Sequence, residues 1–119
     1  MAKRRAMGAL ESEVLEQLWS LGRPATPSEV LDALDDDLAY TTVMTILSRL
    51  WEKGLVRRAR EGRAFAYSPI LSEAELAAQR MQEQLAAAHD RPGALTKFAE
   101  TLSARDARAL RAVLGRSSR

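Results

Sequence analysis

Leu38-Ala-Tyr-Thr-Thr-Val-Met-Thr-Ile-Leu-Ser-Arg-Leu-Trp-Glu-Lys-Gly54 carries two different surfaces on what its periodicity makes a single helix. Val43, Ile46, Leu47 and Leu50 fall at i, i+3, i+4 and i+7, one apolar stripe of helical period. The opposite side presents Thr41, Met44, Thr45, Ser48 and Arg49. A merely solvated face would carry Lys and Glu, which form helices well, whereas Thr and Ser are mediocre in helix interiors. Their clustering suits a surface that meets the major groove of duplex DNA. There hydroxyls and a guanidinium donate to base edges and phosphates, and a Thr methyl packs on a thymine methyl. The competing reading is a β-branched core helix with an idle outer face.

On the C-terminal side Gly54 caps this helix and the period changes from 3.6 to 2. Leu55-Val-Arg-Arg-Ala-Arg60 and Arg63-Ala-Phe-Ala-Tyr-Ser68 flank Glu61-Gly62 and predict a β-hairpin. With Glu61-Gly62 as the turn, Val56 pairs with Tyr67, Arg58 with Phe65, and Arg60 with Arg63. Two arginines opposed at a hairpin tip repel, and a phosphate backbone would relieve the repulsion; a solvated tip whose charges splay apart is the plain alternative.

On the N-terminal side, Leu10, Val14, Leu15 and Leu18 predict a first helix over about Gly8 to Ser20, ended by Gly22 and Pro24. Thr26-Pro-Ser-Glu29 fits a capping box that opens a short second helix through about Leu34, buried by Val30, Leu31 and Leu34. Asp35-Asp-Asp37 breaks it, and the third helix runs from about Ala39 to Glu52. Three helices followed by a two-stranded hairpin is the winged helix-turn-helix order. In that arrangement helix two crosses the DNA backbone, helix three enters the major groove and the wing touches flanking phosphates.

Charge follows the same division. The net charge is only +2 over 119 residues, but Glu29 to Asp37 holds five acids and no base, whereas Arg49 to Arg63 holds six bases and two acids. Local patches, not totals, set the field that a nucleic acid feels. Lys3-Arg4-Arg5 adds a basic arm.

Beyond Pro69 the chain reads as purely helical. Ser72-Glu-Ala-Glu75 is a second capping box and opens a helix to about His89. Arg91-Pro-Gly93 interrupts, a short helix follows over about Leu95 to Leu102, and Ser103-Ala-Arg-Asp106 caps a last one ending near Gly115, with Ser117-Ser-Arg119 frayed. Its few large apolar residues cannot form an independent core, so the tail either folds back on the first domain or pairs with a second copy. The stripes Leu76, Met81, Leu85 and Leu110, Val113, Leu114, together with Phe98, suit packing between protomers. The fold class expected is mainly α with a small β-hairpin wing. Residues 1–71 form a winged helix DNA-binding domain and residues 72–119 a helical dimerisation domain.

Composition bounds the alternatives. A hydrophobic content of 46% with 29% charged residues is globular. The chain has no cysteine, which removes disulfides, thiolate metal sites and cysteine nucleophiles and fits a reducing cytoplasm. Met1-Ala-Lys-Arg-Arg-Ala-Met7 is basic but lacks the apolar run of a signal peptide, and no stretch approaches a membrane span. A cytoplasmic protein without membrane insertion is expected. No Gly-rich phosphate loop exists and the single histidine, His89, has no companion ligand or nucleophile motif, so neither a catalytic site, a metal site nor a cofactor is expected.

Four segments together resemble the penicillinase repressor (BlaI/MecI) family. They are Leu10-Glu-Ser-Glu-Val-Leu-Glu-Gln-Leu-Trp19, Ala39-Tyr-Thr-Thr-Val-Met-Thr-Ile-Leu-Ser-Arg-Leu50, Lys53-Gly-Leu55 and Gly62-Arg-Ala-Phe-Ala-Tyr-Ser-Pro69. The likeness extends into the tail at Leu102-Ser-Ala-Arg-Asp106 and Leu110. It implies a homodimeric transcriptional repressor that binds a palindromic operator through an N-terminal winged helix and pairs through its C-terminal helices. It also implies a membrane-bound β-lactam sensor protease as a partner, whose signal ends in cleavage between an Asn and a Phe. The matching positions here are Lys97 and Phe98, with Lys standing where the family has Asn. A copper-sensing relative uses paired cysteines, which this chain lacks.

The residues expected at DNA are therefore Thr41, Thr42, Met44, Thr45, Ser48 and Arg49 in the groove, with Arg58, Arg60 and Arg63 on phosphates. Arg49 has a second reading, an ion pair with the Asp35–Asp37 run. Tyr40 has two as well, a phosphate contact or a brace for helix two. Trp19 and Trp51 read as core packing. The rival function is a winged helix used only for protein contacts, which would want an apolar outer face on helix three and a neutral wing.

Overall fold

A computed structural model of the chain describes residues 7–34 and 37–117. The basic arm Lys3-Arg4-Arg5, Asp35, Asp36, Ser118 and Arg119 lie outside the described residues. Within them run α1 (Met7–Leu21), α2 (Pro27–Ala33), α3 (Tyr40–Glu52), β1 (Val56–Glu61), β2 (Ala64–Pro69), α4 (Glu73–Ala87), α5 (Arg91–Thr101) and α6 (Ala104–Ser117). The chain divides into two compact units, residues 1–77 and 78–119.

In the first unit the helix boundaries follow from local chemistry. Gly22 ends α1 with φ +65° and Gly54 follows α3 with φ +77°, left-handed values that only glycine adopts freely. The capping box at α2 is complete. The Glu29 N–H donates to Thr26 Oγ1 at 3.3 Å and the Thr26 N–H donates to Glu29 Oε1 at 2.9 Å, with Pro27 in the first turn. These three helices enclose one core of Leu10, Val14, Leu15, Leu18, Val30, Leu34, Val43, Ile46, Leu47 and Leu50. The hairpin closes it through Val56 and Tyr67. Ala25 exchanges two backbone hydrogen bonds with Tyr67, at 2.9 and 2.8 Å, so β2 is flanked on both edges, by β1 and by the α1–α2 connection.

The hairpin register differs from the expected one. The pairs are Val56↔Pro69, Arg58↔Tyr67, Arg60↔Phe65 and Glu61↔Ala64, so the two-residue loop is Gly62-Arg63. Gly62 has φ +65°, as the first position of a II′ turn requires, and Glu61 would have been strained there. Partners slide by two positions, so the strand faces are kept. Arg60 therefore faces Phe65 and not Arg63, and the tip repulsion does not arise.

A half-buried ion pair ties α1 to the C-terminal end of α3. Lys53 Nζ lies 2.8 Å from Glu11 Oε1; the Lys side chain is 55% exposed and the Glu side chain 8%. Trp19 packs against the core, and its indole N–H donates to the Leu71 carbonyl at 2.9 Å, anchoring the strand exit.

α4 begins at the expected box, with the Glu75 N–H on Ser72 Oγ at 3.0 Å and the Ser72 N–H on Glu75 Oε1 at 2.8 Å. Leu76, expected at a protomer interface, belongs to the first unit's core at 5% exposure. A stripe of helical period does not say which partner it meets, and α4's first turn meets the winged helix. In the second unit Arg91-Pro-Gly93 does not interrupt a helix but starts one. Asp90 caps α5 by accepting from the Gly93 N–H at 3.0 Å, and Pro92 is tolerated in a first turn, where no N–H is needed. Ser103 caps α6 through the Asp106 N–H at 3.0 Å, and the helix runs past Gly115 to Ser117.

Two tests follow from this packing. Lys53→Ala leaves the Glu11 carboxylate buried without its cation and should lower the unfolding free energy by about 1–3 kcal/mol in urea titrations. Glu11→Gln/Lys53→Ala should recover part of that loss. Secondly, the backbone hydrogen bond from Thr26, joined by Arg23, holds the Glu29 carboxyl below its ordinary value. A lowered folded-state value contributes stability that is present above the unfolded carboxyl range and lost as pH falls through the folded one. Thermal melts of wild type and Glu29→Gln should therefore converge on acidification and separate near neutrality.

Candidate nucleic-acid interface

The fully buried stripe of α3, Val43, Ile46, Leu47 and Leu50, fixes which side of that helix faces out. Thr41, Met44, Thr45 and Arg49 are exposed, whereas Thr42 and Ser48 are half-buried at the edges of the face. Thr45 Oγ1 donates its proton to the Thr41 carbonyl at 3.0 Å. With its proton so engaged, the exposed Thr45 hydroxyl keeps lone pairs that can accept from a partner such as a cytosine or adenine amine. Arg49 stands in the last turn, where its charge also complements the helix dipole. Tyr40 is exposed at the helix start.

The wing supplies exposed Arg57 and Arg60 from β1 and Arg63 from the turn. Arg58 does not join them. It is half-buried, with its guanidinium carbon 3.7 Å from the centre of the Trp51 ring and 4.3 Å from that of Phe65. Arg60 leans on the same Phe65 at 5.5 Å. Trp51, expected in the core, is 42% exposed because position 51 flanks the buried stripe instead of continuing it. Neither role was legible from spacing alone. The available signal was an arginine in an alternating strand opposite aromatics, which marks a stacked guanidinium as readily as a free one.

Comparison with known proteins agrees with this geometry. The family model described as penicillinase repressor matches residues 7–116. The chain belongs to the penicillinase repressor family. It is accordingly a transcriptional regulator and not an enzyme. The transcriptional regulator BlaI of two Mycobacterium tuberculosis strains, CDC 1551 / Oshkosh and H37Rv, is 45% identical over 119 aligned residues, covering 96% of this chain and 86% of the relative. Among solved structures, the DNA-binding domain of the repressor BlaI aligns with a TM-score of 0.51 at 30% identity. That match covers 63% of this chain and 93% of the other. The penicillinase repressor family thus supplies a winged-helix counterpart for the first unit.

The wing turn rests on Gly62. A Cβ there would meet nothing within 4 Å, so the constraint is the backbone angle alone. Gly62→Ala should destabilise the hairpin by about 1 kcal/mol through the left-handed angle. Faster amide exchange along β1 and β2, with α1–α3 unchanged, is the expected readout.

Proposed function

We propose that this member of the family is a dimeric, sequence-specific repressor that reads a palindromic operator in double-stranded DNA. α3 lies in the major groove, with Thr41, Met44, Thr45 and Arg49 at base edges and Thr42 and Ser48 at the groove wall. Arg60 and Arg63 neutralise flanking phosphates from the wing. The observation that carries this reading is the outer face of α3: short hydroxyls, a thioether and a guanidinium exposed opposite a stripe buried without remainder. A protein-contact module would want an apolar face there and an uncharged wing. A repressor of this kind works in the cytoplasm; no helix among the described residues is long and apolar enough to cross a membrane.

Pairing is supported by the second unit. None of its described residues is buried, yet Met81, Leu95, Phe98, Leu110, Val113 and Leu114 are exposed. Apolar stripes of this extent on short helices gain stability by meeting a second copy. Leu85 is half-buried and contributes at the edge. Two copies then place two recognition helices on successive major grooves, about one helical turn apart or a multiple of it. Removal of the repressor by a sensor-protease route would act at Lys97–Phe98, which lies inside α5, so the helix must open before that bond is cut.

Selection from a random duplex pool at two salt concentrations tests the function. A palindromic consensus is expected; binding without consensus that vanishes with modest salt would refute it. Thr45→Ala should lose about 1–3 kcal/mol on the cognate duplex and little on random DNA. Arg63→Ala should weaken both and flatten the salt slope by about one unit. Leu110→Glu/Leu114→Glu should sediment as a monomer and bind the full palindrome no better than a half-site.

A further inference from the structure

We infer that Arg58 is a positioning residue that locks the wing to the recognition helix, and is not itself a phosphate contact. The inference rests on the DNA reading proposed above. Three elements meet at its guanidinium: Trp51 from the last turn of α3, Phe65 from β2, and β1, which carries Arg58 itself. The covalent path from α3 to β1 is only Lys53-Gly54-Leu55, with Gly54 in a left-handed angle. The base of the wing is fixed there by the Leu55 N–H on the Leu50 carbonyl at 3.0 Å and the Ile70 N–H on the Leu55 carbonyl at 3.1 Å. Farther out, β1 and β2 hold each other, and the stack on Trp51 is a side-chain tie back to α3.

Arginine suits this position for physical reasons. Its planar, weakly hydrated guanidinium presents faces to both rings and stays charged, whereas a lysine ammonium is compact and strongly hydrated. A charge held within 4.3 Å of two ring centres is also drawn away from solvent, where a phosphate would be. Phe65 touches Arg60 in turn, so the same ring that receives Arg58 also steadies Arg60, farther out along β1. Pre-orienting the wing lowers the ordering cost of binding for Arg60 and Arg63 together with α3.

The full-length protein tests this with Arg58→Lys and Arg58→Met, titrated by fluorescence anisotropy against the duplex selected by wild type. Because lysine keeps the charge but not the stack, both variants should lose affinity by roughly tenfold, as expected for two lost ring contacts. Circular dichroism melts should show both folded at the assay temperature. In wild-type NMR spectra the Arg58 methylene protons should be shifted upfield by the ring currents of Trp51 and Phe65. Arg58→Lys binding like wild type, with Arg58→Met lowering the salt slope by about one unit, would identify a direct phosphate contact and overturn the positioning role while leaving the DNA function intact. Methylene protons at ordinary shifts would overturn the stack itself. A wild type that binds no duplex would overturn both the function and this inference.

Discussion

The burial of Val43, Ile46, Leu47 and Leu50 is the constraint on which the other features of the first unit depend. Each of these side chains is shut from solvent by α1, α2 and the hairpin, so α3 cannot rotate about its axis without exposing apolar surface. The direction of Thr41, Met44, Thr45 and Arg49 is therefore set by the opposite side of the same helix. Among them, the Thr45 hydroxyl donates to the Thr41 carbonyl one turn back. An outward face whose direction is fixed by the buried side of its own helix can meet a partner of fixed geometry.

The wing obeys a related logic with weaker forces. Its inner end is packed: Val56 and Tyr67 join the core, and β2 is hydrogen-bonded on both edges. Its outer end carries charge and cannot be buried. Between the two lies the Trp51–Arg58–Phe65 group, where a cation is held by rings instead of by a carboxylate. That choice matters for a surface expected at DNA. An acid at this point would also stabilise Arg58 but would repel the phosphates proposed to meet Arg60 and Arg63. Aromatic faces fix the guanidinium while leaving the local field positive. By contrast, the Lys53–Glu11 pair uses a carboxylate where it is buried at 8% side-chain exposure.

The order of elements, both capping boxes and the core stripe were legible in the sequence because each is encoded within a few residues. Thr26 and Glu29, or Ser72 and Glu75, meet across one helical turn wherever the rest of the chain goes. The misread features share a different origin. The hairpin turn moved by one residue because a positive φ must fall on Gly62, a requirement that outweighs the symmetry of the flanking strands. Asp90 turns Pro92 and Gly93 from a break into a first turn: its carboxylate accepts the otherwise free Gly93 N–H, and proline, which has no N–H to offer, loses nothing there. Leu76 packs in the first unit's core and Arg58 lies over two aromatic rings, neighbours that their spacing does not name. Periodicity and charge show that a residue needs a neighbour, but not which of two neighbours the fold brings.

The two units also differ in what stabilises them, and this bears on how a repressor of the proposed kind would be released. The first unit has a closed core, a half-buried ion pair and a β2 strand hydrogen-bonded on both edges, so its α3 face is held by contacts within the unit. The second has capped helices but no buried residue among those described, so its order depends on what covers its apolar stripes. Mass action then makes the paired form the stable one only above a threshold concentration. An operator of two half-sites multiplies two modest contacts into one strong one, so it senses that pairing far more steeply than a single half-site does. In the proposed repressor, control exerted on residues 78–119 would thus empty the operator without disturbing the outer face of α3. The reading surface can stay fixed while the signal acts where the structure is least self-sufficient.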